Sequence, residues 1–178
     1  MAATFEFNED HGTQTGSPLK GTTRSTAVVE VNWKNIDDST TAYSSSPIVA
    51  GNNSFTKYQC GKFTGSFNTI LNSSWSAHTA GTSPMGTGLT LKGTVTSTYA
   101  TPSTVTNAAL TTDFSSTVVI GSGLAVLFSP VGPEGASPTA TLTAAGFTQF
   151  LATQLQTTSS AAAGDSASIT STLIYDEN

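Results

Sequence analysis

Threonine and serine together make up about a third of this chain, and that excess constrains the fold more than any motif does. Thr carries two heavy atoms on Cβ, which restrict its rotamers and favour the pleated, half-buried face of a strand. Only 10% of residues are charged, against about 25% in an average soluble domain, so the surface must consist largely of hydroxyls and amides. Disorder is the other state open to a Ser- and Thr-rich chain, but it goes with few aromatics and high net charge. Nine Phe, four Tyr and two Trp at a net charge of only -5 argue instead for a packed core. A chain of 178 residues suits one such core.

Hydrophobic periodicity places the strands. Val29, Val31 and Trp33 alternate with Glu30 and Asn32, a period of two that predicts a half-buried strand. Leu89, Leu91 and Val95 predict a second, Phe5 and Phe7 a third at the start, and Ile169, Leu173 and Tyr175 a fourth at the end. Residues 53–70 carry Phe55, Tyr58, Phe63 and Phe67 with Gly61 and Gly65 between them, which reads as two strands or one long bent one. Leu124, Val126 and Phe128 form a short apolar run closed by Pro130 and Pro133, the pattern of a central strand buried on both faces. Phe147, Leu151 and Leu155 are spaced by four, which fits a helix, yet the Thr around them favours a strand.

The intervening segments 10–24, 35–53, 97–113 and 130–138 are rich in Gly, Pro, Ser, Thr and Asn and read as loops. About eight strands with long loops and little helix predict an all-β, antiparallel two-sheet sandwich of jelly-roll type. Residues 1–178 form a single domain in this reading, with 8–25 an extended arm or loop.

Charge and cysteine content narrow the function. Six Lys and Arg are spread singly from Lys20 to Lys92, which offers no basic patch for nucleic acid. The apolar stretch 117–131 is interrupted by Gly121, Ser122, Gly123 and Ser129 and is too short for a membrane helix. The first residues carry Glu6, Glu9 and Asp10 with no basic start before an apolar run, so no secretory signal is expected and synthesis in a cytoplasm is. Cys60 has no second Cys to pair with and is expected to pack as a small apolar group.

No catalytic, cofactor or metal site emerges. His11 and His78 stand in polar stretches that read as loops, without a nucleophile motif beside them. The paired acids Glu9–Asp10, Asp37–Asp38 and Asp176–Glu177 match no calcium-loop spacing, and Asp37 and Asp38 are better suited to capping a turn. Gly121-Ser-Gly123 lacks the Lys and the helix of a phosphate loop. Asn52-Asn53-Ser54 and Asn72-Ser73-Ser74 match a glycosylation tripeptide, which has no meaning without a secretory route. Most aromatics in a sandwich are core, but Tyr43 and Trp75 lie in polar, loop-like surroundings and are the candidate exposed contacts, as in a sugar-stacking platform.

Three segments carry a resemblance. Thr4-Phe-Glu-Phe-Asn-Glu-Asp10, the run Asn52-Asn-Ser-Phe-Thr-Lys-Tyr58 leading into Gly61-Lys-Phe-Thr-Gly-Ser-Phe67, and Ala161-Ala-Ala-Gly-Asp165 followed by strand-like residues to Tyr175 resemble small β-rich virion proteins of tailed bacteriophages. The resemblance implies a β-sandwich that decorates or cements a capsid by binding the major capsid protein, as a homo-oligomer such as a trimer, with no enzymatic chemistry and a location in the virion. A tail- or fibre-associated place in the particle, or a carbohydrate-binding module, are the alternatives.

Overall fold

The structure is a computed structural model describing residues 2–79, 85–115, 124–135, 137–162 and 169–178. Its strands are β1 (Ala3–Thr15), β2 (Lys20–Ser25), β3 (Lys57–Gly65), β4 (Ile70–Thr79), β5 (Leu89–Thr96), β6 (Thr112–Asp113), β7 (Leu124–Ala125), β8 (Phe128–Ser129), β9 (Thr141–Leu142), β10 (Gly146–Thr148), β11 (Phe150–Thr157) and β12 (Ile169–Glu177). One sheet has the order β2-β1-β3-β11-β5-β6, with β10 joining β3 to β8, and the other has β12-β4-β7 with β9 beside β4. Every pairing is antiparallel. The protein is therefore the expected all-β, two-sheet sandwich, and the chain crosses from the large sheet to the small one and back through β3, β4 and β5. A single 3-10 turn, Tyr43–Ser45, is the helical content of the described residues.

The two sheets meet through alternating side chains, as the pleat requires. Trp75 of β4 packs with Leu91 of β5 and Leu151 and Leu155 of β11, its ring edge-on to Phe114 at 4.7 Å between centroids. Further along, Phe63 of β3 meets Tyr175 of β12 edge-to-face at 4.8 Å. The opposite face of the large sheet is covered by the long connection after β5. Tyr58, Tyr99, Leu110 and Phe150 cluster there, and Tyr99 pins that connection down by donating its hydroxyl to Gly12 O at 2.7 Å.

Several elements differ from the sequence expectation. Residues 8–25 are not an extended arm or loop but a hairpin, the second half of β1, a turn at 16–19 and all of β2, paired from Glu9–Ser25 to Thr15–Lys20. A bulge between His11 and Gln14, with Gly12 at φ +87°, breaks the alternation that would have marked this hairpin. The Val29–Trp33 run forms no strand. Val29 is 95% exposed and Val31 half-buried, while Trp33 packs against the Trp75 cluster, donating Nε1 to Thr153 Oγ1 at 3.1 Å.

The Leu124–Phe128 run is likewise no central strand. It leaves the small sheet after β7 and enters the large one at β8, and along this crossing Val126 and Phe128 are buried, Leu124 is half-buried and Leu127 is exposed. Residues 53–70 divide into β3 and the start of β4, and β3 ends at Gly65, whose φ of +91° suits a residue without Cβ. The Phe147–Leu155 pattern is strand, divided between β10 and β11. The terminal strands and the Leu89–Val95 strand form as expected. Gly121-Ser-Gly123 and residues 163–165 of the Ala161–Asp165 segment lie outside the described residues.

Candidate interaction surface

The buried acidic and basic residues, Glu9, Asp10, His11, Lys34 and Lys57, gather around the C-terminal half of β1 and the start of β3, and the fold consumes them there. After Phe7 the composition of β1 changes, and Asn8, Glu9, Asp10 and His11 are all buried. Glu9 pairs with Gln59 in register, and its carboxylate meets Lys57 Nζ at 3.0 Å with both side chains 1% exposed. Lys57 also donates to Asp38 O at 2.8 Å. From the covering loop, the wholly buried Lys34 reaches Asp38 Oδ1 at 2.5 Å and Thr41 O at 2.5 Å.

Asp38 in turn accepts from the backbone N–H groups of Thr40 and Thr41 and from the Thr41 hydroxyl. This is the turn that its short acceptor side chain predicts. Burial alone would raise the Asp38 carboxyl, but the bonds from Lys34 and Thr41 outweigh it and hold the group well below the ordinary carboxylate range. Asp37 ties the same loop to the hairpin by accepting Gly12 N–H at 2.7 Å. The cluster is a clamp that fastens residues 34–41 onto β1 and β3.

On the opposite face of the sheet, Arg24 forms a two-pronged pair with Asp10 at 2.5 and 2.8 Å, reaches Glu134 at 3.3 Å and stacks over Phe147 at 5.3 Å. Burial works against its charge, and the Asp10 bond together with the Asp10 and Glu134 charges more than restores it. Cys60 lies 2% exposed in the adjoining apolar cluster. Burial pushes its thiol far above the ordinary range, which removes it as a nucleophile at neutral pH.

His11 is a strand residue of β1, 7% exposed, with Nε2 at 2.8 Å from Ser25 Oγ. That pairing resembles an activated nucleophile. Ser25 Oγ is also held by Ser39 Oγ at 2.6 Å, however, and neither of the two cavities described below is lined by these residues. His78 stands in β4, not in a loop, and its side chain lies outside the described residues. Among the described residues no group of three or more His, Cys, Asp and Glu is placed to hold a metal ion, and no helix is long and apolar enough to cross a membrane.

With Lys62–Glu6 and Lys92–Asp113, five of the six basic residues are in internal ion pairs. The sixth, Lys20, is exposed at the start of β2. The described surface is dominated by hydroxyls and amides, with scattered carboxylates at Glu30, Asp113, Asp176 and Glu177, and Val29, Val131, Val105 and Val49 are the most exposed of its large apolar side chains.

The two aromatic candidates separate. Tyr43 is 46% exposed in the 3-10 turn, whereas Trp75 is 2% exposed in the core. Trp75 is thus no surface contact. Its neighbours Asn72, Ser73, Ser74 and Ser76 spell a loop but form β4, because hydroxyls fit a strand that pairs with β12 along its length.

Two cavities stand out among the described residues. One, about 10 Å³, lies in the core beside Cys60, Trp75 and Leu151 and has room for roughly one water. The other is an open cleft of about 380 Å³, with Asn35 on one side and residues 51–53 and 104–106 forming its walls. The sequence offered Asn52 and Asn53 as loop, as part of a glycosylation tripeptide and as the start of the Asn52–Tyr58 resemblance, and Thr104 to Thr106 as loop, none of which marks a cleft. Comparison of the chain with protein families, curated proteins and solved structures finds no match.

Proposed function

We propose that this chain is a non-enzymatic structural protein of a tailed-phage particle, which binds major capsid subunits and decorates or cements the head as a homo-oligomer such as a trimer. The observation that carries the reading is the internal pairing of five of its six basic residues. With only 10% of residues charged and nearly all cations already paired, such a surface loses little to desolvation when it packs against a neighbour, and short hydroxyl side chains lose little rotamer entropy there. The carboxylates of Glu9, Asp38, Asp10 and Asp37 are engaged by Lys57, Lys34, Arg24 and the Gly12 N–H, which favours scaffold over catalyst. The β1 and β3 segments that resemble phage virion proteins pair with one another in register from Ala3–Gly65 to Asp10–Tyr58, so the resemblance falls on the framework of the fold.

Removal of the gene from the phage that encodes the chain tests this reading. Heads assembled without it are expected to lose resistance to heat or osmotic shock and to regain it when purified protein is added. Heads unchanged in composition and stability would sink it, and co-purification with isolated tails alone would move the protein to the tail.

A further inference from the structure

We propose that the cleft bounded by Asn35 and residues 51–53 and 104–106 is a binding site for a neutral, polyhydroxylated ligand, one sugar unit of a glycan. This goes beyond the structural role above and stands independently of it. The volume of about 380 Å³ lies within the range of small-molecule sites, roughly 300–1,000 Å³.

The walls are built and held by β11. Gln154, wholly buried, shares its Nε2 hydrogens among Ser54 O at 3.1 Å, Ser103 O at 3.1 Å and Val105 O at 3.0 Å. It therefore staples the two walls from beneath. Thr157 donates to Asn52 O at 2.7 Å and accepts Gly51 N–H at 2.9 Å, fixing the near wall. Asn53 bridges across, donating Nδ2 to Thr104 O at 3.2 Å and Thr106 Oγ1 at 3.0 Å. A cleft fixed in this way loses little conformational freedom when it is filled.

Its chemistry selects the ligand. No ionisable side chain lines the cleft, so an ion or a charged headgroup would lose hydration without a countercharge. The exposed amides of Asn35 and Asn52 are not used in any side-chain bond described above. Each offers an acceptor oxygen and an NH₂ donor side by side, the arrangement that matches a pair of adjacent hydroxyls. Thr106 accepts from Asn53 and keeps its own hydrogen to donate. Val105, 74% exposed on the same wall, gives an apolar surface for the C–H face of a sugar ring.

The test is a titration of ¹⁵N-labelled full-length protein with neutral glucose-, galactose-, mannose- and N-acetylglucosamine-based oligosaccharides, followed by NMR. At least one is expected to shift the amides of residues 35, 51–53 and 104–106 saturably, and Asn52→Ala, an exposed change that leaves the fold intact, to weaken it roughly tenfold through its lost hydrogen bonds. The proposal is overturned if no neutral sugar moves those amides, if binding maps elsewhere, if Asn52→Ala binds as tightly as the parent, or if only a charged sugar such as sialyllactose binds.

Discussion

Lys34 Nζ lies 2.5 Å from Asp38 Oδ1, and the lysine side chain is wholly buried while the aspartate is 28% exposed. One side of this pair retains contact with water and the other has none, so the two partners are not equivalent. Removing Asp38 leaves an ammonium group in the core with Thr41 O as its remaining acceptor.

Asp38→Ala is therefore expected to destabilise the fold by about 3 kcal/mol, at the low end of the range for breaking a buried pair because Thr41 O still accepts from Lys34. Urea denaturation measures the change. A loss under about 0.5 kcal/mol would mean that the clamp on residues 34–41 contributes nothing.

The same carboxylate sets an acid limit. A carboxyl held below its unfolded value contributes stability that is complete above that value, 3.8, and is lost as pH falls toward the folded value. Asp113 acts in the same direction: burial opposes the shift, and bonds from Ser115 and Lys92 outweigh it. The urea midpoint should hold steady between about pH 7 and 5, then drop below about pH 4, with a shallower drop in Asp38→Ala. Parallel curves for the two proteins would show that Asp38 is not the group responsible.

Cys60 should be inert in the folded protein. With its thiol pushed up by burial, modification by a disulfide reagent at about pH 8 is expected to be negligible until denaturant is added. Labelling of the native protein at the rate of a free thiol would contradict the packing around β3.

Trp75→Ala should cost about 3–5 kcal/mol, the range for truncating a buried aromatic, because its ring is packed edge-on to Phe114. A thermal or urea melt reads this. A cost under about 1 kcal/mol would return Trp75 to the surface, where its polar neighbours in the sequence place it.

These contrasts mark what could be read from the residues. Leu89, Leu91 and Val95 were legible because their strand presents one face to the core and Thr to the other side, and the last strand was legible for the same reason. Alternation is a statement about one strand, however, and it cannot report whether a partner exists. Val29 to Trp33 alternates without a ladder to join, while Asn8 to His11 is buried on account of Arg24, Ser25 and Lys57, residues distant in the chain. β4 was hidden because Ser and Asn suit loops and hydroxyl-rich strands alike. Asp37 and Asp38 were legible as turn residues, since the bonds of Asp38 to Thr40 and Thr41 are local. The cleft was not, because Gln154 assembles it from segments about 50 and 100 residues away.

The central claim is that the chain is a structural part of a phage head. If the chain is encoded by a phage, as proposed, quantitative mass spectrometry of that phage's purified heads tests it most directly. The account predicts the protein at a fixed ratio to the major capsid subunit, retained through gradient purification. Its absence from purified particles, with the protein recovered only from the soluble lysate, would contradict the account.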